Sequence, residues 1–184
     1  MEAAYQAGYI TKSSEIITLA QLYQFHGAPF KAASLLNKAI EQGVVVAQED
    51  SLALLSRAYL SAKEPEKAIV VLNQLSSIAD TGKYDALLAQ TYLNTEQWKE
   101  AITAADQAIV KAQSESNPEY LGNMYLAKGM ANFNLNDFNK SLDAFVKAEQ
   151  LPKIKKTAQQ WVKYVEREQE VFERQQQVRL AMLN

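Results

Sequence analysis

Apolar residues recur along the chain with the 3.6-residue period of a helix: Ile16, Leu19, Ala20 and Tyr23, then Ala32, Leu35, Leu36 and Ala39. The turn-forming stretch Gly27-Ala28-Pro29 separates the two runs. This skeleton returns along the chain. Leu19-Ala20-Gln21-Leu22-Tyr23 is followed by Ala32, Leu36 and Ala39. Leu55-Ser56-Arg57-Ala58-Tyr59 is followed by Ala68, Leu72 and Leu75, and Leu88-Ala89-Gln90-Thr91-Tyr92 by Ala101, Ala105 and Ala108. A fourth copy reads Lys128-Gly129-Met130-Ala131-Asn132, then Ser141, Phe145 and Ala148. The anchors 32, 68, 101 and 141 stand 36, 33 and 40 residues apart.

Each copy is therefore predicted to be a pair of antiparallel helices. The later breaks are Ala62-Lys63-Glu64-Pro65, Asn94-Thr95-Glu96 and Asn134-Leu135-Asn136-Asp137. Pro29 and Pro65 suit the first turn of a second helix, where the missing N–H is no loss. Asn94 and Asn136 are expected as N-caps in the other two copies, and Asn117-Pro118 before the first helix of copy four. Alanine on facing positions lets two helices approach closely, with the tyrosine filling the space beside them. One such hairpin cannot bury its own face; stacking hairpins buries a continuous core.

The pattern divides the chain into residues 1–12, four repeats at about 13–46, 49–82, 82–115 and 118–152, and a segment 153–184. Residues 2–12 read as the end of a preceding second helix closed by Gly8. The expectation is a chain that is the C-terminal part of a longer repeat protein. After Pro152, one long helix is expected from Lys153 to about Leu183. Its first half carries the capping stripe Ile154, Ala158, Trp161, Val162 and Val165. Its second half is mostly charged or amide, interrupted by Val171, Phe172, Val178, Leu180, Met182 and Leu183. That half is either a solvated extension or a helix that packs on another chain, with Phe172, Val178 and Met182 as its contact residues. Sustained heptads for a coiled coil are absent.

Composition narrows the chemistry. Of 184 residues 48% are hydrophobic and 27 are alanine, against 6 glycines and 4 prolines, which favours helices over a sandwich or a phosphate-loop enzyme. There is no cysteine and one histidine, so disulfides, thiolate chemistry and multi-histidine metal sites are excluded. The net charge of −2 offers no basic excess for nucleic acid. No apolar run reaches 18 residues. The first residues show no signal-peptide pattern. His26, at the end of the first helix of copy one, has no nucleophile or carboxylate at a recognisable spacing and reads as a helix-end residue. Glu64/Glu66 and Glu166/Glu170 read as solvated helix faces. Lys153, Lys155 and Lys156 read as a solubilising end or a contact for an anionic partner. Asn139-Lys140-Ser141 matches a glycosylation sequon, but Ser141 falls on a packing position. No catalytic residue, metal ligand or cofactor is expected.

The Leu-Ala-x-x-Tyr blocks, the alanines that follow them, Gly129 with Phe138, and Phe30 and Trp98 opening second helices resemble the tetratricopeptide repeat. The resemblance covers residues 13–155. Asn132 and Ser141 depart from it in copy four, a closing proline appears only as Pro152, and the 40-residue spacing implies a longer helix or loop near 110–120. It implies an all-α, right-handed superhelix of four helix pairs with a C-terminal capping helix, whose first helices line a concave surface. The inward positions are then Ile17, Gln21, Gln24 and Phe25; Ala53, Arg57, Leu60 and Ser61; Ala86, Gln90, Leu93 and Asn94; Leu126, Met130, Phe133 and Asn134. Partner contacts are expected from Gln21, Gln24, Phe25, Arg57, Leu60, Gln90, Leu93, Asn94, Met130, Phe133 and Asn134. The amides would pair with a peptide backbone and Leu60, Leu93, Met130 and Phe133 would anchor apolar groups. The lysine–asparagine clamp that some members use on a terminal carboxylate is not matched by Ile17, Gln21, Ala53, Arg57, Ala86 and Gln90.

Trp161-Val162-Lys163-Tyr164-Val165-Glu166-Arg167-Glu168 and the repeat openings further resemble a group of periplasmic repeat proteins of gamma-proteobacteria linked to TonB-type systems. This implies a periplasmic address, with a cytoplasmic one as the alternative. The expected function is a protein-interaction scaffold or adaptor, not an enzyme, binding a peptide or partner domain without nucleic acid or membrane insertion. The alternative is a self-assembling module, a homodimer through the C-terminal helix.

Overall fold

The computed structural model describes residues 2–115 and 119–182, so Asn117-Pro118 and Leu183 lie outside the described residues. Among these residues there are ten α-helices and no strand. The chain divides into two compact units, Met1–Asp80 and Thr81–Asn184.

The first unit holds α1 (Glu2–Gln6), α2 (Ser13–Phe25), α3 (Pro29–Glu41), α4 (Glu49–Ser61) and α5 (Pro65–Ile78). Two hairpins, α2–α3 and α4–α5, pack through α3 on α4. Their interior is made by Leu19, Ala20, Ala32, Leu36, Leu55, Ala68, Leu72 and Leu75, all buried. Pro29 and Pro65 stand in the first turn of α3 and α5.

The second unit holds α6 (Lys83–Asn94), α7 (Trp98–Ala112), α8 (Leu121–Asn134), α9 (Phe138–Glu149) and α10 (Lys155–Ala181). The hairpins α6–α7 and α8–α9 are followed by α10, which packs on α9. Ala89, Ala101, Ala105 and Ala108 bring α6 and α7 together without side-chain bulk. In copy four the crossing is made by Gly129 and Ser141. The buried Ser141 hydroxyl donates to the Gly129 carbonyl over 2.8 Å, which satisfies a polar group that alanine lacks in the other copies.

All four hairpins turn in the same way. Gly27, Lys63, Glu96 and Asn136 each take a left-handed backbone, with φ of 72°, 61°, 59° and 59°. The next residue's N–H then returns to the carbonyl at the tyrosine position: Ala28 to Tyr23, Glu64 to Tyr59, Gln97 to Tyr92 and Asp137 to Asn132, over 2.8–3.0 Å. This is a helix C-terminal motif that tolerates asparagine and prefers glycine. It corrects the expected caps. Asn94 is the last residue of α6 and Asn136 is the left-handed turn residue, while Gln97 and Asp137 stand at the N-caps. Asp137 accepts the Lys140 N–H and also pairs with the Lys140 ammonium over 2.7 Å.

Two polar clusters tie the second unit. Asp85, fully buried in the first turn of α6, is paired with Lys111 of α7 over 2.8 Å. The Glu115 carboxylate accepts the Gly82 N–H over 2.9 Å, the Thr81 hydroxyl over 3.2 Å and the Tyr120 hydroxyl. A negative charge is thereby held at the start of α6, where the helix dipole favours it.

Candidate functional site

In the first unit, α2 and α4 present residues one helical turn apart on facing stripes. Ser13, Ile17 and Gln21 come from α2, and Asp50, Ala53, Leu54 and Arg57 from α4. Between them lies an open cleft of about 550 Å³. Val45, Val46 and Gln48 of the α3–α4 connection close one side. Val45 is buried and anchors the connection, whereas Val46 stays 68% exposed.

The cleft has an apolar floor of Ile17, Ala53 and Leu54 and a polar rim of Gln21, Gln48, Asp50 and Arg57. No side-chain hydrogen bond or ion pair among the described residues engages Gln21, Asp50 or Arg57. A groove with a partly apolar floor and unengaged amide and charged groups on its rim suits a peptide backbone with alternating side chains. The sequence positions Ile17, Gln21, Ala53 and Arg57 meet here. Asp50 of α4 lies one turn before Ala53, and Val45, Val46 and Gln48 complete the cleft but escape a reading confined to first helices. The run Val44-Val45-Val46 is their signal, three β-branched apolar residues in a linker.

The remaining candidates of this unit stand apart from the cleft lining. Leu60 is half-buried, and the Gln24 Nε2 is buried with no hydrogen-bond partner among the described residues. Phe25 is 84% exposed at the end of α2, its ring edge-on to His26 with centroids 5.2 Å apart.

In the second unit, Gln90 and Asn94 lie exposed on α6 and are bonded to each other over 3.1 Å, while Leu93 is buried. Met130 and Phe133 of α8 pack with Trp161, Val162 and Phe172 of α10 around the buried Phe138, Phe145 and Val165. The Phe133 ring lies 5.3 Å from Tyr164 and 6.3 Å from Trp161. Helix α10 therefore covers the apolar residues that copy four turns toward its next neighbour. Asn134 is exposed, with its amide donating to the Met130 carbonyl. Phe172 lies 5.4 Å from Phe138, whereas Val178 and Met182 have exposed side chains.

The titratable groups with resolved shifts are structural. The Tyr120 hydroxyl, helped by the Gly82 N–H, holds Glu115 below the ordinary carboxylate range. Burial, and then Glu115, push Tyr120 up. Glu64 raises Lys67, whose ammonium stands 6.0 Å from both the Phe30 and Tyr59 ring centres. Among the described residues no three His, Asp or Glu side chains are placed to hold a metal ion, and no helix is long and apolar enough to cross a membrane.

A scan against protein-family models finds no match, and a search of curated proteins finds none. Solved structures do share the fold. A MamA structure matches with TM-score 0.70 at 15% identity, covering 83% of this chain and 80% of that one. A MamA chain from Desulfovibrio magneticus RS-1 matches with TM-score 0.68 at 14% identity, covering 93% and 94%. YrrB, described as a TPR protein with an unusual peptide-binding site, matches with TM-score 0.66 at 15% identity, covering 92% and 82%. With its repeated hairpins, its shared turn and these neighbours, the chain has the all-α helical-repeat fold of tetratricopeptide-repeat proteins.

Proposed function

We propose that the protein is an interaction scaffold that receives a segment of a partner protein in the α2–α4 cleft. The observation that carries this reading is the cleft itself, with Gln21 and Arg57 unengaged above Ile17, Ala53 and Leu54. A preformed surface loses little conformational freedom on binding. A photo-crosslinking residue at position 46 or 53, with position 70 on α5 as control, tests it in the source cell. The expected result is adducts to a discrete partner segment at 46 and 53 and none at 70. Equal labelling at all three positions would remove the cleft from the function.

The block Trp161–Glu168 and the repeat openings support a finer reading, a periplasmic adaptor of a bacterial TonB-type envelope assembly. Cell fractionation checks the address, and recovery in the cytoplasm would end this finer reading.

The exposed second half of α10 supports a second reading, self-assembly. Beyond Phe172 its side chains through Met182 are exposed, including Val178 and Met182. Solution mass with and without residues 174–184 distinguishes the two. A monomer in both forms would remove the assembly reading.

A further inference from the structure

We infer that the α2–α4 cleft selects an extended segment bearing one acidic and one basic side chain four residues apart, with an apolar residue midway between them. The inference rests on the scaffold reading and adds the chemistry of the ligand.

Asp50 stands in the first turn of α4 and Arg57 two turns further along the same helix. Seven helical residues separate them by about 10 Å along the axis. Both line the cleft, both are exposed, and neither side chain makes a hydrogen bond or ion pair among the described residues. The cleft thus has a negative and a positive pole, with Ala53 and Leu54 between them on α4 and Ile17 across from them on α2.

An extended chain advances about 3.3 Å per residue and turns every second side chain to one face, so residues four apart, with the residue midway between them, reach both poles and the floor. An acidic ligand side chain would meet Arg57 and a basic one Asp50. The apolar residue between them would settle on Ile17, Ala53 and Leu54, beside the exposed Val46. Gln21 and Gln48 each offer an amide donor and an acceptor to the ligand backbone. Exposed ion pairs add little raw affinity but penalise the wrong arrangement, because a like charge at either pole is repelled. Binding strength would come from the apolar contact, and selectivity from the two poles.

The test uses four capped synthetic peptides, each with a central Thr-Leu-Thr flanked by Glu and Lys, Glu and Glu, Lys and Lys, or Gln and Gln. Binding to the full chain is read by fluorescence polarisation. The Glu/Lys peptide is expected to bind about tenfold more tightly than the other three. Arg57→Glu should move the preference to the Lys/Lys peptide, and Asp50→Lys to the Glu/Glu peptide. Both residues are exposed, and circular dichroism confirms that the variants fold. Equal binding of all four peptides, absence of binding by all, or variants that weaken all equally would overturn the inference. Ala53→Trp, which fills the floor, separates the two levels. If it abolishes binding while the charges change nothing, the cleft stands as a docking site and the two-pole selectivity falls. If it leaves peptide binding unchanged, both readings fall.

Discussion

The Phe145 ring stands where a β-carbon on residue 129 would have to be: a β-carbon built on Gly129 would lie 2.6 Å from two of its ring atoms. The equivalent pairs in the other copies are Ala20 with Leu36, Ser56 with Leu72, and Ala89 with Ala105. Copy four has thus exchanged bulk between its helices, a glycine on α8 admitting a phenylalanine on α9. The ring is fully buried and stacks on Trp161, with centroids 5.2 Å apart and planes 8° from parallel. The exchange creates the flat aromatic surface on which α10 docks.

Gly129→Ala is accordingly expected to destabilise the second unit by about 1–3 kcal/mol, because a rigid buried ring must shift. Combining it with Phe145→Leu restores the small–large pairing of copy one and should recover part of the loss. Urea titration of the single and double variants measures the coupling. Additive losses would show that the two positions act independently.

Helix α10 is expected to act as two parts. Trp161→Ala removes contacts with Phe133, Tyr164 and Phe145 and should cost about 3 kcal/mol. Deleting residues 174–184 removes only exposed side chains among the described residues and should leave the melting temperature of the body nearly unchanged. Thermal unfolding followed by circular dichroism compares the two variants.

Lys63 and Glu96 take a left-handed backbone that a β-carbon disfavours. Glycine at either place relieves that strain, partly offset by the freedom it adds to the unfolded chain. Lys63→Gly and Glu96→Gly are each expected to stabilise by about 0.5–1 kcal/mol. Alanine at the same positions should bring no gain. Denaturant midpoints decide between these outcomes.

The Asp85–Lys111 pair is asymmetric, with Asp85 fully buried and Lys111 partly exposed. Removing the lysine leaves a buried carboxylate without its cation, whereas Asp85→Asn leaves an ammonium that can turn to water. Lys111→Met should therefore destabilise by about 3 kcal/mol and exceed Asp85→Asn. Urea denaturation of both variants gives the order.

Glu115 and Tyr120 set a pH dependence at both ends of the scale. The folded Glu115 carboxyl titrates below its unfolded value. Its stabilising contribution is present above about pH 4.3 and disappears as pH falls through the lower folded value. The folded Tyr120 hydroxyl titrates above its unfolded value. Its contribution is complete below about pH 10 and fades as pH rises toward the folded value. Tyr120→Phe should flatten the urea-midpoint profile at both ends, because it removes the main cause of the Glu115 shift as well.

The helices and their pairing are written in short-range spacing, and so are legible in the sequence. Leu19, Tyr23 and Ala32 lie within one hairpin, and their periodicity alone predicts two amphipathic helices around a small-residue crossing. The shared turn is less legible, because left-handed backbone is declared only where glycine stands, at Gly27. Lys63, Glu96 and Asn136 adopt it because both flanking helices are held by packing. For the same reason Asn94 and Asn136 read as caps by residue type and are not caps in place.

Which faces remain open is a property of neighbours distant in the chain, and the tertiary structure decides it. Met130 and Phe133 have the same local pattern as residues expected on an inner face, yet α10 arrives from some 30 residues further along and covers them. Val46 has no periodic signature as a site residue, yet the α3–α4 connection sets it at the side of the cleft. Local periodicity determines how each hairpin buries its own apolar stripe. Only the packing of one element on another determines which stripe is left for a partner, because burial depends on what fills the adjacent space.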